Sequence, residues 1–150
     1  MMKISDALND EELLKLAKRT VEIGDVYRMK MTEANGIRPK DGADSRNKYF
    51  VVLGFDNNGI AYGGVIINSN INQNLPAHLR MYHMPLPKAK YRFLDHNSFV
   101  DCVSLKRAFP EKFSQWQYLG KIDKYDVELI IGTIKESPRE NAAHLALYGL

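Results

Sequence analysis

The period of the hydrophobic pattern changes along this chain, and each change marks an element. Leu13, Leu16, Ala17 and Val21 recur at helical spacing. Asn9 or Asp10 can cap that stretch, and Glu11 and Glu12 fall in its first turn, where carboxylates suit the helix dipole. A helix over about 9–22 is expected, stopped by Gly24. Asp25 to Met31 then alternates as a first strand. Tyr49 to Phe55 is a nearly continuous apolar run, the pattern of a strand covered on both faces. Asp56-Asn57-Asn58-Gly59 is a turn signal, and Ile60 to Ile67 resumes the apolar pattern, so the two runs predict a hairpin. Gly63-Gly64 inside the second arm predicts a bulge or a place where another backbone comes close. Leu79–Met84 and Phe99–Leu105 complete the set of predicted strands.

The remainder reads as helical. Pro110 can start a turn that carries Phe109, Phe113 and Trp116 as a core plug. Asp123 can cap a helix whose apolar face is Val127, Ile130, Ile131 and Ile134. Ser137-Pro138-Arg139-Glu140 has the form of a capping box with proline at the first helical position, which predicts a last helix over about 138–148. About five short strands with helices at both ends predict an α+β, mainly β domain. A small SH3-like antiparallel barrel or coiled sheet fits, and period alone leaves other α+β topologies open. No repeat, low-complexity tract or linker divides residues 1–150, so one domain is expected.

Composition narrows the function classes modestly. Of the 150 residues 45% are hydrophobic and 26% charged, the balance of a folded protein rather than a disordered one. A formal net charge of +3 points only weakly to an anionic partner. Cys102 is the only cysteine, which rules out an intrachain disulfide or a Cys-based zinc site and suits a reducing cytoplasm. Met1 to Asp6 soon meets acidic residues and lacks the apolar core of a signal peptide, and no apolar run approaches the roughly 18 residues of a membrane span. A cytoplasmic protein without membrane association is the expectation.

Three stretches carry candidate chemistry. Thr32 to Lys48 is rich in glycine, asparagine and charge, with Arg38, Lys40, Arg46 and Lys48 set against Glu33, Asp41 and Asp44. Such a connection could turn backbone amides and guanidinium forks toward a phosphate, or be a solvated loop with locally paired charges. Asn68-Ser69-Asn70 and Asn72 either close a turn through their own backbone or hold a phosphate or 2′-hydroxyl. No histidine or carboxylate near Ser69 in sequence supports a hydrolase triad. Between Leu79 and Arg107 six basic residues (Arg80, Lys88, Lys90, Arg92, Lys106, Arg107) face two acids, Asp95 and Asp101. Tyr82, Tyr91 and Phe93 are interleaved, a pairing of cations with stacking rings that suits single-stranded nucleic acid, unless the rings belong to the core. His78, His83, His96 and His144 are too scattered for a metal-ligand pattern, so no metal or cofactor is expected. His83, beside these basic residues, could move protons near neutral pH. There is no P-loop and no Rossmann fingerprint.

The order of short motifs resembles the PemK/MazF-like toxin family over about residues 24–135. Gly24-Asp25-Val26-Tyr27-Arg28 is similar to the family's opening strand, Thr32–Lys48 to its first long loop, and Ile66-Ile67-Asn68-Ser69 to a strand ending in threonine–serine. Met84-Pro85-Leu86-Pro87, Ser98-Phe99-Val100-Asp101-Cys102 and Leu119-Gly120-Lys121-Ile122 follow in the family's order. The resemblance implies a barrel core with added terminal helices, a homodimer, and a small acidic antitoxin that covers an RNA groove. It implies metal-independent cleavage of single-stranded RNA, a 2′-hydroxyl attacking the adjacent phosphate to leave a 2′,3′-cyclic phosphate. Arg38 or Arg46 would stabilise the growing charge, Asn68 and Ser69 would position the phosphate, and Asp101 or His83 would move protons. Lys40, Lys48, Arg80, Lys88, Lys90, Tyr91 and Arg92 would bind the RNA. The chain departs from the family pattern in an insertion through Asp41–Ser45, in Asn68 for threonine, and in Asp101 and Val103 around Cys102. Those departures suit the alternative, a barrel without catalysis that binds nucleic acid or protein.

Overall fold

A computed structural model describes residues 9–38, 43–56 and 58–150. Lys40 and the N-terminal stretch Met1–Asp6 lie outside the described residues, as do Asn57 of the hairpin turn and part of the Asp41–Ser45 insertion. Helix α1 (Asp10–Thr20) is capped by Asn9, whose side-chain oxygen accepts the Glu12 N–H at 2.9 Å. It ends at Thr20, short of Gly24. Gly24 instead turns the chain into β1 (Asp25–Met31) with φ +93, and a Cβ there would stand 2.9 Å from the Ile122 carbonyl oxygen. Only glycine meets both conditions.

The other strands are β2 (Arg46–Phe55), β3 (Tyr62–Asn68), β4 (His83–Leu86), β5 (Ser98–Ala108) and β6 (Gln117–Lys121). They form one antiparallel sheet in the order β4-β5-β3-β2-β1-β6, a half-barrel in an α+β chain. The expected hairpin is present: Tyr49 pairs with Ile67 and Phe50 with Ile66. The sheet has six strands rather than about five. Gln117–Lys121 is too short to show a period, and its strand state comes from pairing with β1, where Asp25 meets Lys121 and Val26 meets Gly120.

Two further expectations are corrected. Leu79–Met84 is not one strand: Pro76 opens a single helical turn, α2 (Ala77–Arg80), and β4 begins only at His83. The last helix does not start at Ser137. That serine donates to the Val103 carbonyl and Glu140 accepts the Leu105 N–H at 2.9 Å, so both would-be box residues are engaged by β5. Helix α3 (Lys124–Glu136) starts at Asp123 as expected, whereas α4 (Ala142–Ala146) is capped by Asn141. No helix among the described residues is long and apolar enough to cross a membrane.

Both faces of the sheet are covered, which accounts for the unbroken apolar run of β2. On one face Val26, Val51, Val65 and Val100 meet Val127, Ile130 and Ile134 of α3 and Leu145 and Tyr148 of the C-terminal segment. On the other, Tyr27, Met29, Phe50 and Tyr62 meet Ala17 of α1, with Phe113 of the 3-10 turn Pro110–Gln115 and Trp116 just after it alongside. Gly63-Gly64 meets both of its expectations. Register against β2 shifts between Gly64 and Gly63 and against β5 between Gly64 and Ile66, and a Cβ on Gly64 would run into the backbone carbonyl of Val51.

Candidate functional site

Register carries the candidate side chains to one place. Across an antiparallel ladder, paired residues point to the same side. Met31 pairs with Arg46 and Met29 with Lys48, while Ile66 pairs with both Phe50 and Asp101, and Asp101 pairs with His83. These residues therefore share the sheet face whose other end lies beneath α1. Where that cover stops, a groove of about 1080 Å³ opens. Its lining includes Arg38, Arg46, Asn68, Ser69, His83 and Asp101, the full set expected to carry chemistry, together with Lys48.

The first loop is more ordered than its composition suggests. Thr32 and Asn35 form a capping box around the 3-10 turn Glu33–Asn35, and the Asn35 amide donates to the Arg107 carbonyl at 2.7 Å. Gly36 follows at φ +97 and leads the chain to Arg38 at the groove. On the adjoining strands Lys48 Nζ donates to Asn68 Oδ1 at 2.6 Å. With the amide oxygen so engaged, the NH₂ of Asn68 remains a donor toward an anion.

His83 lies in the groove floor, its side chain only 1% exposed. Its Nδ1 stands 3.0 Å from the Arg80 carbonyl, which can only accept, so Nδ1 carries the proton. Nε2, left without a proton, then faces Asp101 Oδ1 at 3.8 Å, too long for a hydrogen bond. Asp101 Oδ1 also accepts the Val103 N–H at 3.0 Å. Of the two candidates for proton transfer, Asp101 is the one a ligand can reach, and His83 acts on it from below.

Among the described residues, the candidates Arg80, Lys88, Lys90, Tyr91 and Arg92 do not line the groove. Lys90 Nζ stands 2.7 Å from Asp123 and 2.8 Å from Asp126, and those hydrogen bonds hold its pKa above the ordinary lysine value. Tyr91 is buried and donates to Asp126, and burial first, then that carboxylate, pushes its hydroxyl up to about 12. The pair therefore fastens the basic connection to the start of α3, and the Tyr91 ring offers no stacking face. Arg80 donates to the Gln73 carbonyl at 3.1 Å, and Lys88 and Arg92 are exposed away from the groove. Cys102 is buried on the opposite face, its thiol pushed up to about 12 by burial and then by Asp101, so it is no nucleophile.

Sequence reasoning missed Ser104 and Arg139 and counted Lys106 only among the basic residues of its stretch; all three line the same groove. The Lys106 ammonium donates to Ser104 Oγ at 3.0 Å. Burial lowers its pKa, against the opposing pull of the Asp101 and Glu140 carboxylates. A serine and a lysine two apart at the end of an apolar strand was the only available signal. Among the described residues no three His, Cys, Asp or Glu side chains converge as a metal site. No protein-family model matches this chain, and no curated protein matches it.

Proposed function

We propose that this chain is a metal-independent endoribonuclease acting on single-stranded RNA, a divergent PemK/MazF-like toxin. The observation that carries the reading is the convergence of Arg38, Arg46, Asn68, Ser69 and Asp101, from three strands and two loops, on one groove. A groove of about 1080 Å³ exceeds the roughly 300–1,000 Å³ of a small-ligand pocket and suits a polymer. Its cations and amides match the phosphates and ribose hydroxyls of an RNA strand.

In this reading the Lys48–Asn68 pair and Ser69 hold the scissile phosphate. Asp101 takes the proton of the 2′-hydroxyl as its oxygen attacks phosphorus. Arg38 and Arg46 stabilise the charge that grows on the non-bridging oxygens. His83, with Nδ1 fixed on the Arg80 carbonyl, packs against Asp101 with Nε2 3.8 Å from Oδ1 and so limits sterically where the carboxylate can sit. The same reading implies a cytoplasmic homodimer and a small acidic antitoxin that covers the groove, since an acidic chain is what a cation-lined cleft would accept.

The test is incubation of the purified chain with single-stranded RNA, with the new ends mapped. Cleavage that persists in EDTA and leaves 2′,3′-cyclic phosphates supports the proposal, and cleavage lost in EDTA rejects this mechanism. A second reading, a barrel that binds RNA without cutting it, draws on the apolar Val103 in the groove wall and on Asn68 in place of a hydroxyl. RNA bound tightly and left intact under all conditions selects that one.

A further inference from the structure

Lys106 stands where regular pairing would put another residue. Ile66 pairs with Asp101, so an unbroken register would set residue 103 opposite Gly64, but Lys106 is found there. Strand β5 therefore carries three extra residues at this point (106 less 103). The bulge is held from outside, by Glu140 on the Leu105 N–H and by Ser137 on the Val103 carbonyl. Bulges re-aim side chains, and this one delivers Ser104 and Lys106 to the groove. Lys106 runs past Gly36, where an added Cβ would lie 3.3 Å from its Cδ, and its Nζ is steadied on Ser104 Oγ at 3.0 Å.

We propose that Lys106 is the proton donor to the leaving 5′-oxygen, opposite Asp101 as the base, a role that rests on the ribonuclease reading. Asp101 and Lys106 face Ile66 and Gly64, two residues apart on β3 or roughly 7 Å along the strand. A phosphate placed between them is within side-chain reach of both. As the bond from the 2′-oxygen to phosphorus forms, the bond from phosphorus to the 5′-oxygen breaks. Asp101 receives the proton of the 2′-hydroxyl, and the Lys106 ammonium gives one to the 5′-oxygen. The products are a 2′,3′-cyclic phosphate and a 5′-hydroxyl, and solvent then carries the proton from Asp101 back to Lys106. Among the described residues, Asp101 on its own strand and Glu140 after α3 act on Lys106, and Arg38, Arg46, Lys48 and Arg139 share its groove lining. A half-buried ammonium gives up its proton more readily than a solvated one, which suits a general acid.

The test compares the full chain with Lys106→Met and Lys106→Arg on two RNA oligomers. One is ordinary, and the other carries sulfur in place of the leaving 5′-oxygen, which departs as a thiolate without a proton. Lys106→Met should lose about a hundred- to ten-thousandfold on ordinary RNA and recover most of that loss on the sulfur substrate. Arginine keeps the charge but does not deprotonate in proteins, so Lys106→Arg should bind RNA normally and still cut the ordinary substrate poorly. Equal losses on both substrates, or full activity of Lys106→Arg, would overturn the proton-donor role and leave the ribonuclease reading standing. If the unaltered chain cuts neither substrate, both readings fall. Melting of each variant, expected near that of the unaltered chain, separates a chemical loss from unfolding.

Discussion

The Nε2 atom of His83 stands 3.8 Å from the Oδ1 atom of Asp101, and its other ring nitrogen is committed to the Arg80 carbonyl. The arrangement assigns unequal roles. Asp101 is 17% exposed at its side chain and His83 only 1%, so the groove gives access to the carboxylate and not to the imidazole. Asp101→Asn should cost about a hundred- to ten-thousandfold in cleavage rate, the span of a lost general base. His83→Gln should cost less and act on kcat more than on KM, since it moves the carboxylate without touching RNA. Steady-state kinetics on one RNA oligomer checks both, and a larger loss for His83→Gln than for Asp101→Asn would reverse the assignment.

The two arginines should also differ. Arg46 opens β2 and pairs with Met31, whereas Arg38 lies in the connection before it, in neither a helix nor a strand. Catalytic stabilisation of charge depends on donors fixed before the reaction, and a donor held by a ladder is better fixed. Arg46→Ala should lose about a hundred- to a thousandfold in rate, and Arg38→Ala less, with circular dichroism unchanged for both. An equal loss would mean that ligand binding fixes Arg38 as firmly as the sheet fixes Arg46.

Tyr148 packs over paired glycines of the sheet, and this contact is open to a stability test. Gly54 pairs with Gly63, and a Cβ on Gly63 would come within 2.6 Å of the Tyr148 ring. Gly63→Ala should destabilise by about 1–3 kcal/mol, as overpacking does. In a Tyr148→Ala background the same change should cost much less, because the obstructing ring is gone. Urea unfolding of the four proteins in the cycle measures the coupling. Additive losses would mean that the strain at Gly63 comes from elsewhere.

The fold was legible wherever a pattern had room to repeat. The β2 run, the Asp56–Gly59 turn and the Asp123 cap each predicted their element because several residues agreed locally. The edge strand β6 was invisible because its five residues take their state from β1 rather than from a period of their own. Ser137 and Glu140 misled for a related reason: they have the letters of a capping box, but Val103 and Leu105 compete for the same side chains and win. The candidate site was half legible. Asn68 ends β3 and Asp101 lies within β5, on strands that sequence could place, while Arg46, read as part of the loop, opens β2. Lys106 reached the groove only through a bulge, and Lys90 and Tyr91 left it for carboxylates more than thirty residues away. Neither long-range choice leaves a trace in local spacing.

The buried Cys102 thiol predicts an alkaline weakness. Burial and Asp101 raise it from its ordinary 9.0 to about 12 in the folded chain. Between those values the unfolded chain has released a proton that the native chain keeps, so stability falls as pH rises through that window and is intact below it. Tyr62 and Tyr91, raised from 10.0 to about 12, add losses of the same sign at higher pH. The lowered Lys106 works in the opposite direction, since the folded state releases its proton first. The difference between the unaltered chain and Cys102→Ala cancels the tyrosines and the lysine. That difference should shrink steadily in urea unfolding from ~pH 8 to ~pH 10. A difference independent of pH would place the thiol in contact with solvent.

Under the proposed function, salt dependence should separate cations that meet RNA from cations that hold the fold. Each phosphate neutralised on a single strand releases counterions and adds about 0.7 to the slope of log affinity against log salt. Arg38 lines the groove, so Arg38→Ala should weaken RNA binding and make that slope shallower by about 0.7. Lys90 has the same formal charge and lies among basic and aromatic neighbours, which alone would assign it to RNA as well. Its ammonium is instead bound by Asp123 and Asp126, the carboxylates at the first turn of α3. Lys90→Ala should therefore leave the salt slope unchanged and lower the melting temperature modestly, because the two acids lose their common partner. Binding titrations at several salt concentrations, paired with thermal melts, test both variants. A shallower slope for Lys90→Ala would mean that RNA competes successfully for the ammonium and that its path extends beyond the groove to the start of α3.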